Sequence, residues 1–144
     1  MNLLMMDEFL WQWFNKRLPV TKCEDSVGLV MTTDKGRPMA GCVFDSFTDN
    51  SAQCHLLIVN PMCLKHEFFH YCAEYIFFTR DKKYVFGQIP SNNEKALHFN
   101  RLYGYQEVAR LPNAFKDGVD CVIMEHSRER YLQMFPNHKE LVNG

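Results

Sequence analysis

The stretch PSNNEKALHFNRLYGY, residues 90–105, contains the signals that decide the fold. Pro90 ends a short β-rich run, and Ser91 is a residue type that favours a helix N-terminus. Gly104 is the residue type that most often follows a helix C-terminus. The stretch therefore predicts a strand over residues 84–89, a helix that ends before Gly104, and a second strand directly after it.

Hydrophobic periodicity on both sides of this stretch predicts the remaining elements. In chain order these are a helix over residues 7–16, strands over 27–33, 38–47 and 52–59, a helix over 64–79, strands over 105–111 and 119–125, and a short helix over 127–134. Helices between central strands, with hairpins at the edges, indicate the α/β (α+β) class with a mixed sheet. At 17.0 kDa and without a visible linker, residues 1–144 are expected to form a single domain.

Composition excludes several classes of protein. The formal net charge is -1 and the basic residues are scattered, which argues against a nucleic-acid partner. No run has membrane-spanning length, and the apolar N-terminus lacks the basic leader of a signal peptide. Six cysteines without a C-x-x-C pair are interpreted as reduced thiols, so a cytoplasmic protein is expected.

Residues 66–70, HEFFH, match the H-E-x-x-H zinc motif, with Glu94 as the candidate third ligand of a zinc hydrolase. A helical wheel over residues 64–79 argues against this interpretation. It places His66, His70 and Glu74 opposite the apolar face, as a solvated stripe. We therefore predict no metal site and keep the zinc hydrolase only as a remote alternative.

Five residues of the opening stretch follow the pattern N-x-x-A-x-x-[YF]-x-x-x-x-G-[FY]. They are Asn93, Ala96, Phe99, Gly104 and Tyr105, and strands are predicted on both sides. This pattern resembles the GNAT superfamily of acyl-CoA-dependent N-acyltransferases, and within it short members that bacteriophages often encode.

The resemblance extends over residues 27–125 and implies a fold, a reaction and two substrates. The implied fold is a mixed, mostly antiparallel sheet with a splayed central strand and flanking helices. The implied reaction is direct transfer of an acyl group from acetyl-CoA or another acyl-CoA to an amine of a small molecule or protein. A monomer or homodimer in the cytoplasm, or in the host cytoplasm for a phage protein, is expected.

The resemblance also implies which residues contact CoA. The central strand supplies backbone groups to the pantetheine arm, the next helix opening holds the pyrophosphate, and Asn93 offers its amide, although Asn93 is equally suited to cap a helix. The implied cofactor-binding residues are Leu57, Ile58, Val59, Cys63, Leu64, Lys65, His66, Asn93 and Phe99.

His55, at the head of the central strand, is the candidate general base, because imidazole titrates near neutral pH. A histidine satisfied within the sheet is the structural alternative. Glu107, Asp120 and Glu125 are alternative bases.

The sequence departs from the family pattern at two places. Glu67 and Phe69 occupy the expected glycine positions of the pyrophosphate loop, and a carboxylate there opposes a phosphate. Phe99 stands where many members carry the tyrosine that protonates the leaving thiolate. Tyr103 is the candidate substitute, with a core aromatic as the alternative, and a Cys63 of lowered pKa is a remote candidate nucleophile.

These losses make a second function possible: a catalytically weak binding module that regulates a host protein. The exposed aromatic surface expected around Trp11, Trp13 and Phe14 suits a partner site, although packing of that helix on the sheet is the better explanation of these residues.

Overall fold

A computed structural model, which describes residues 1–137, consists of one seven-stranded sheet with helices on both faces. The strands are β1 (Asn2–Met5), β2 (Val27–Thr32), β3 (Pro38–Asp45), β4 (Ser51–Ile58), β5 (Tyr84–Pro90), β6 (Gln106–Lys116) and β7 (Val119–Ser127). Their order in the sheet is β1-β2-β3-β4-β5-β7-β6, and β4 with β5 is the parallel pair in an otherwise antiparallel sheet. The predicted fold class is confirmed.

The N-terminus differs from the prediction by one strand. The sequence predicts no strand before the first helix, but Asn2–Met5 pairs with β2 as an edge strand. Its three apolar residues, Leu3 to Met5, are consecutive and have no periodicity of their own, so the neighbouring strand decides their conformation. The helix α1 (Glu8–Arg17) starts where predicted, because the Asp7 carboxylate accepts the Leu10 N–H at 2.8 Å.

The helix predicted over residues 64–79 is interrupted. It consists of α2 (Met62–Lys65), α3 (Phe68–Glu74) and a π-helical turn over Tyr75–Thr79. Glu67, between the two helices, has a φ of 68°, which is the left-handed conformation that normally ends a helix. The 3.6-residue phase of α2 therefore does not continue into α3.

The structure corrects the helical-wheel prediction. His70 and Glu74 are expected on a solvated stripe, but both are buried, as are Ala73 and Phe77. The helix over Arg128–Met134 covers this face of α3, because its Tyr131 has the hydroxyl oxygen 3.0 Å from His70 Nδ1 and the ring centroid 5.7 Å from that of Phe77. A wheel drawn for one helix does not show that a second helix packs on its polar face.

The helices divide between the two faces of the sheet. On one face α1 packs with Phe14 against Gly41, where no side chain intervenes. The other face carries α3 together with α4 (Glu94–Leu102) and α5 (Arg128–Met134), and their apolar side chains form the main core. None of the helices in residues 1–137 has both the length and the apolar character needed to cross a membrane.

Candidate active site

The sheet divides between β4 and β5. In the described chain the two strands are paired only at Ser51 with Tyr84, Ala52 with Val85 and Gln53 with Phe86. Beyond these pairs, β4 stays paired with β3 and β5 with β7, so an opening forms between the two central strands. We call this opening the slot, and we call its narrow end, next to Gln53, the apex. The splayed central strand is thereby confirmed.

Backbone groups of β4 are directed into the slot. The Val59 N–H donates to the Met39 carbonyl oxygen at 2.9 Å, which identifies Val59 as facing β3. Because successive residues of a strand direct their backbone groups to opposite neighbours, Cys54, Leu56 and Ile58 direct theirs toward β5. The strand register places these three residues beyond the last pair with β5. Backbone groups that face a cavity beyond the end of a strand pairing are satisfied by a ligand or water.

A cavity of about 700 Å³ occupies the slot and the space between β4, β5 and the helices α3 and α4. Of the sequence-predicted site residues, its lining includes His55, Leu57, Ile58, Leu64, Asn93 and Phe99. The others lie elsewhere: Val59, Lys65 and His66 are exposed, Cys63 is buried under α2, and Tyr103 belongs to an aromatic cluster. The cavity has the elongated setting between two strands that a chain-like ligand requires.

A histidine and a buried carboxylate form an ion pair at the apex. His55 Nε2 lies 3.0 Å from Asp45 Oδ2, and 22% of the His55 side chain is exposed against 6% of the Asp45 side chain. His55 follows the last β4–β5 pair by two residues and points to the α1 face, because it alternates with Cys54. Asp45 accepts a hydrogen bond from His55 Nε2 and so orients the imidazole, which leaves Nδ1 as the nitrogen that can accept a proton from a substrate. The sequence analysis did not identify Asp45.

Each alternative base is held by an arginine. Glu107 lies 2.9 Å from Arg110, Asp120 lies 3.6 Å from Arg110, and Glu125 lies 3.1 Å from Arg130. Arg110 holds the pKa of Glu107 below its usual range. A carboxylate stabilised in its charged form is a weaker base, so His55 is the better candidate.

Three thiols lie on the α3 side of the apex. Cys42 Sγ and Cys54 Sγ are 3.4 Å apart, and Cys72 of α3 contacts the same group. Burial raises the pKa of Cys42 and Cys72, while hydrogen bonding to Cys42 and burial raise that of Cys54. These thiols are protonated near neutral pH and form an uncharged wall.

Cys63 is the reverse of the predicted low-pKa thiol. Its side chain is buried, and burial raises its pKa to about 11. The helix α2 that it belongs to has only four residues, so the dipole expected to lower this pKa is small. A nucleophilic Cys63 is not supported.

Tyr103 and Phe99 belong to an aromatic cluster at the end of α4. The Tyr103 ring centroid lies 4.7 Å from that of Phe99 and 4.3 Å from that of Phe69. The Tyr103 carbonyl oxygen accepts from His126 Nε2 at 2.9 Å. Burial raises the pKa of Tyr103. Tyr103 is not among the described residues that line the cavity, whereas Phe99 is.

Asn93 has the capping role that the sequence predicts, and its position is compatible with the predicted cofactor contact. Its Oδ1 accepts the Ala96 N–H at 3.2 Å, which caps α4. Asn93 also lines the cavity, and its amide nitrogen can donate to a ligand there.

The wide end of the slot, residues 60–69, which we call the mouth, differs from a phosphate loop. Glu67 has the left-handed conformation that glycine adopts most easily, and Phe69 is buried in the core. Lys65 and His66 are the exposed residues here that carry or can acquire positive charge.

The structure also separates the two histidines of the zinc motif. His66 ends α2, whereas His70 lies in α3 with Nε2 3.7 Å from Glu67 Oε2. Within residues 1–137, no three His, Cys, Asp or Glu side chains are grouped in a way that could hold a metal ion. Glu94 begins α4 and is exposed. The zinc hydrolase is not favoured.

Comparison with known proteins gives a consistent result at the level of the fold. No protein-family model matches the sequence, and no curated protein matches it by sequence. Solved structures do match. Spermidine/spermine N-acetyltransferase SpeG from Vibrio cholerae superposes with a TM-score of 0.76 and 13% identity, over 92% of this chain and 95% of that one.

Two further structures of the same enzyme agree. A chimera of SpeG with human SSAT segment K23-Y30 has a TM-score of 0.75 and 15% identity, over 92% and 99% of the two chains. A dodecameric form has a TM-score of 0.69 and 16% identity, over 88% and 77%. The chain thus has the fold of the GNAT N-acetyltransferases, and the resemblance stated from the sequence is confirmed at that level. The closer likeness to bacteriophage members stays a prediction.

Proposed function

We propose that this protein is an acyl-CoA-dependent N-acyltransferase that uses acetyl-CoA or a related thioester and acetylates an amine. The observation that carries the proposal is the slot between β4 and β5 with the His55–Asp45 pair at its apex. A GNAT fold alone does not determine function. A slot that exposes strand backbone groups beside a paired imidazole is the arrangement that this reaction requires.

The described residues fit the pantetheine and acyl parts of acyl-CoA better than its phosphates. Backbone groups of Cys54, Leu56 and Ile58 face the slot and suit the amides of a pantetheine arm. Leu57 and Phe99 supply apolar walls. At the mouth, Lys65 and His66 are proposed to meet the pyrophosphate, without the glycines that allow a close backbone approach.

Bound acyl-CoA supplies an activated acyl carbon, and the protein supplies position and proton transfer. His55 Nδ1 takes the proton from the amine, while Asp45, which accepts a hydrogen bond from Nε2–H, keeps the ring oriented and balances its charge. The exposed part of His55 lies on the α1 face, so the amine reaches the apex from that side. The apolar cavity walls limit the access of water to the reaction.

The acceptor is proposed to be a primary amine of a small molecule or protein. Spermidine and spermine are the amines named for the SpeG structures, which makes them the first candidates to measure here. Asp45 is buried beside His55, so it can attract a cationic amine only through the imidazole. This arrangement is compatible with amines other than polyamines.

Calorimetric titration with acetyl-CoA, followed by a CoA-release assay, tests the proposal. The panel of acceptors consists of spermidine, spermine, an amino sugar and a lysine-containing peptide. We expect micromolar to high-micromolar binding, and CoA release with at least one amine. Binding without release for any amine, together with a stable protein partner, would instead indicate a regulatory binding module. Absence of binding at millimolar acetyl-CoA would refute the acyltransferase, and together with a stable protein partner it would also indicate the binding module.

A further inference from the structure

The departure of the thiolate from CoA requires a proton donor, and the expected position holds Phe99. Tyr103, one turn further along, is directed into the aromatic cluster with Phe69 rather than into the cavity. A phenol that could serve is therefore sought among the residues that line the cavity. Tyr105 is the tyrosine among these lining residues in the described part of the chain.

Tyr105 is held at the apex by its neighbours. Its ring packs edge to face against His126, with centroids 5.1 Å apart. Its hydroxyl interacts with the thiol of Cys54, the first residue beyond the β4–β5 pairs, and lies near Cys42 and Cys72. The phenol thus lies on the α3 face of the apex, next to the thiol wall, and its ring is positioned by His126.

Acid and base therefore stand on opposite sides of the same point. Cys54 and His55 are consecutive in β4, so their side chains point to opposite faces of the sheet. His55 reaches the apex from the α1 face and Tyr105 from the α3 face. A thioester at the apex would present its carbonyl carbon between an incoming amine on one side and the departing sulfur on the other.

We propose that Tyr105 is the general acid of this enzyme, a role that rests on the proposed acyltransferase function. The amine nitrogen forms the new bond to the carbonyl carbon and loses a proton to His55. The carbon–sulfur bond breaks, its electron pair stays on sulfur, and the Tyr105 hydroxyl proton passes to that sulfur. CoA leaves as a thiol, and solvent carries the proton from the His55 imidazolium back to the Tyr105 phenolate.

The environment of Tyr105 is compatible with this role. Burial first, and then the neighbouring thiols, raise the pKa of Tyr105 well above its usual value, so the phenol carries its proton at neutral pH. The same burial disfavours a thiolate at the apex, so it raises the proton affinity of the leaving sulfur as well. Burial therefore raises the pKa of the Tyr105 phenol and of the departing CoA thiol alike, and it does not oppose the transfer of a proton from one to the other.

Tyr105→Phe tests the proposal because it removes one oxygen atom and keeps the ring that packs on His126. Tyr103→Phe is the competing variant, because the sequence predicts Tyr103 as the acid, and Tyr84→Phe, at an exposed tyrosine outside the cavity lining, is the matched control. We expect Tyr105→Phe to lower kcat roughly 100-fold with little change in the KM for acetyl-CoA, Tyr103→Phe to lower it clearly less, and Tyr84→Phe to change kcat less than about threefold. Thermal unfolding of the three variants confirms that each is folded.

A binding measurement that needs no turnover provides the second readout. CoA and desulfo-CoA, which lacks the sulfur atom, are titrated into the wild type and the three variants. A hydrogen bond from Tyr105 to the sulfur makes CoA bind about threefold to tenfold more tightly than desulfo-CoA, and this preference disappears only in Tyr105→Phe. A purely structural effect of Tyr105 would weaken both ligands equally.

The outcomes separate this inference from the proposed function. If the wild type binds CoA and transfers acyl groups but Tyr105→Phe behaves like the wild type, Tyr105 is not the acid and the acyltransferase assignment stands. A loss in Tyr103→Phe equal to that in Tyr105→Phe also excludes Tyr105 as the specific acid. If the wild type binds neither CoA nor desulfo-CoA, both the function and the role of Tyr105 are refuted.

Discussion

The two ends of the slot are built differently. The apex combines a buried carboxylate, a partly exposed imidazole and a phenol within a wall of protonated thiols. The mouth has a four-residue helix, a left-handed Glu67 and two exposed side chains that can be cationic. The polar groups at the apex are buried or half-buried in the sheet, whereas Lys65 and His66 at the mouth are exposed side chains.

Under the proposed function, this difference predicts which part of the reaction is supported well and which is supported poorly. Chemistry depends on groups whose geometry is fixed, and the apex has them. Tight binding of a diphosphate depends on backbone N–H groups that approach it closely, and the mouth offers few. We therefore expect an enzyme whose transfer step is efficient and whose affinity for CoA is low.

Replacing the base has the largest expected effect. His55→Gln removes the proton acceptor and leaves a side chain that can still contact Asp45. We expect kcat to fall roughly 10³-fold, since general acid–base catalysis typically contributes 10²- to 10⁴-fold. The measurement is CoA release under saturating acetyl-CoA. His98→Gln, on the exposed face of α4, is the control, and equal activity of the two variants would remove His55 from the mechanism.

His126, a second histidine that lines the cavity, is expected to affect the stability of the protein rather than the reaction. His126 is buried, with Nε2 donating to the Tyr103 carbonyl and Nδ1 accepting the Ser127 N–H at 2.9 Å. Burial lowers its pKa to about 4, so protonation favours the unfolded chain as the pH falls from 6.5 to 4. We expect the free energy of unfolding to decrease by roughly 3 kcal/mol over this range.

Urea unfolding at pH 7.5 and pH 4.5 measures this effect in the wild type and in His126→Gln. The pH dependence of the variant should be smaller by the contribution of His126. Glu74, whose pKa burial raises to about 7, acts with the opposite sign, because its contribution is lost as the pH rises from 4.5 to 7. Comparison of the two proteins isolates His126, and identical slopes would contradict the prediction.

Removing the support of the base has a smaller effect than removing the base. Asp45→Asn preserves the shape of the side chain but not the charge that balances the imidazolium. We expect kcat to fall roughly 10- to 100-fold, with the KM for acetyl-CoA nearly unchanged. Asp49→Asn, in an exposed turn, is the control. A change in KM alone would mean that Asp45 positions a substrate rather than His55.

The mouth has the smallest expected effect. Glu67→Gln removes the charge and Glu67→Gly also provides the residue best suited to a φ of 68°. Removal of about 1 kcal/mol of charge repulsion should raise the affinity for CoA roughly fivefold in both variants. Calorimetric titration measures it. If only Glu67→Gly binds more tightly, backbone conformation rather than charge limits binding.

Sequence reasoning predicted the fold because its signals are local. Pro90, the cap at Asn93 and Gly104 fix the strand, helix and strand around residues 90–105, and the structure has these elements there. Gly104 has a φ of 106°, and a Cβ there would lie 2.7 Å from His126 Nε2, so glycine is required. Alternation of apolar residues is also a local signal, and it predicted the other long strands.

The features that were missed depend on contacts between distant residues. The edge strand β1 requires its partner β2, and the break at Glu67 puts a non-glycine residue in a left-handed conformation. Asp45 meets His55 only because Val43, two residues before it in β3, lies opposite His55 in β4. A single sequence does not reveal this strand register. The roles of His55 and Tyr103 stay predictions, and Tyr105 entered the sequence analysis only as part of the G-[FY] pattern.

Within residues 1–137, only three residue pairs join the first four strands to the last three. Each half of the sheet is held by long antiparallel ladders, so cohesion across the middle depends on that short seam and on the helices that bridge it. A molecule that lies in the slot and bonds to both central strands acts as a missing strand. A ligand that binds in the slot therefore also strengthens the connection between the two halves of the sheet. In the free protein this connection is the weakest part of the sheet, and it coincides with the proposed site of the reaction.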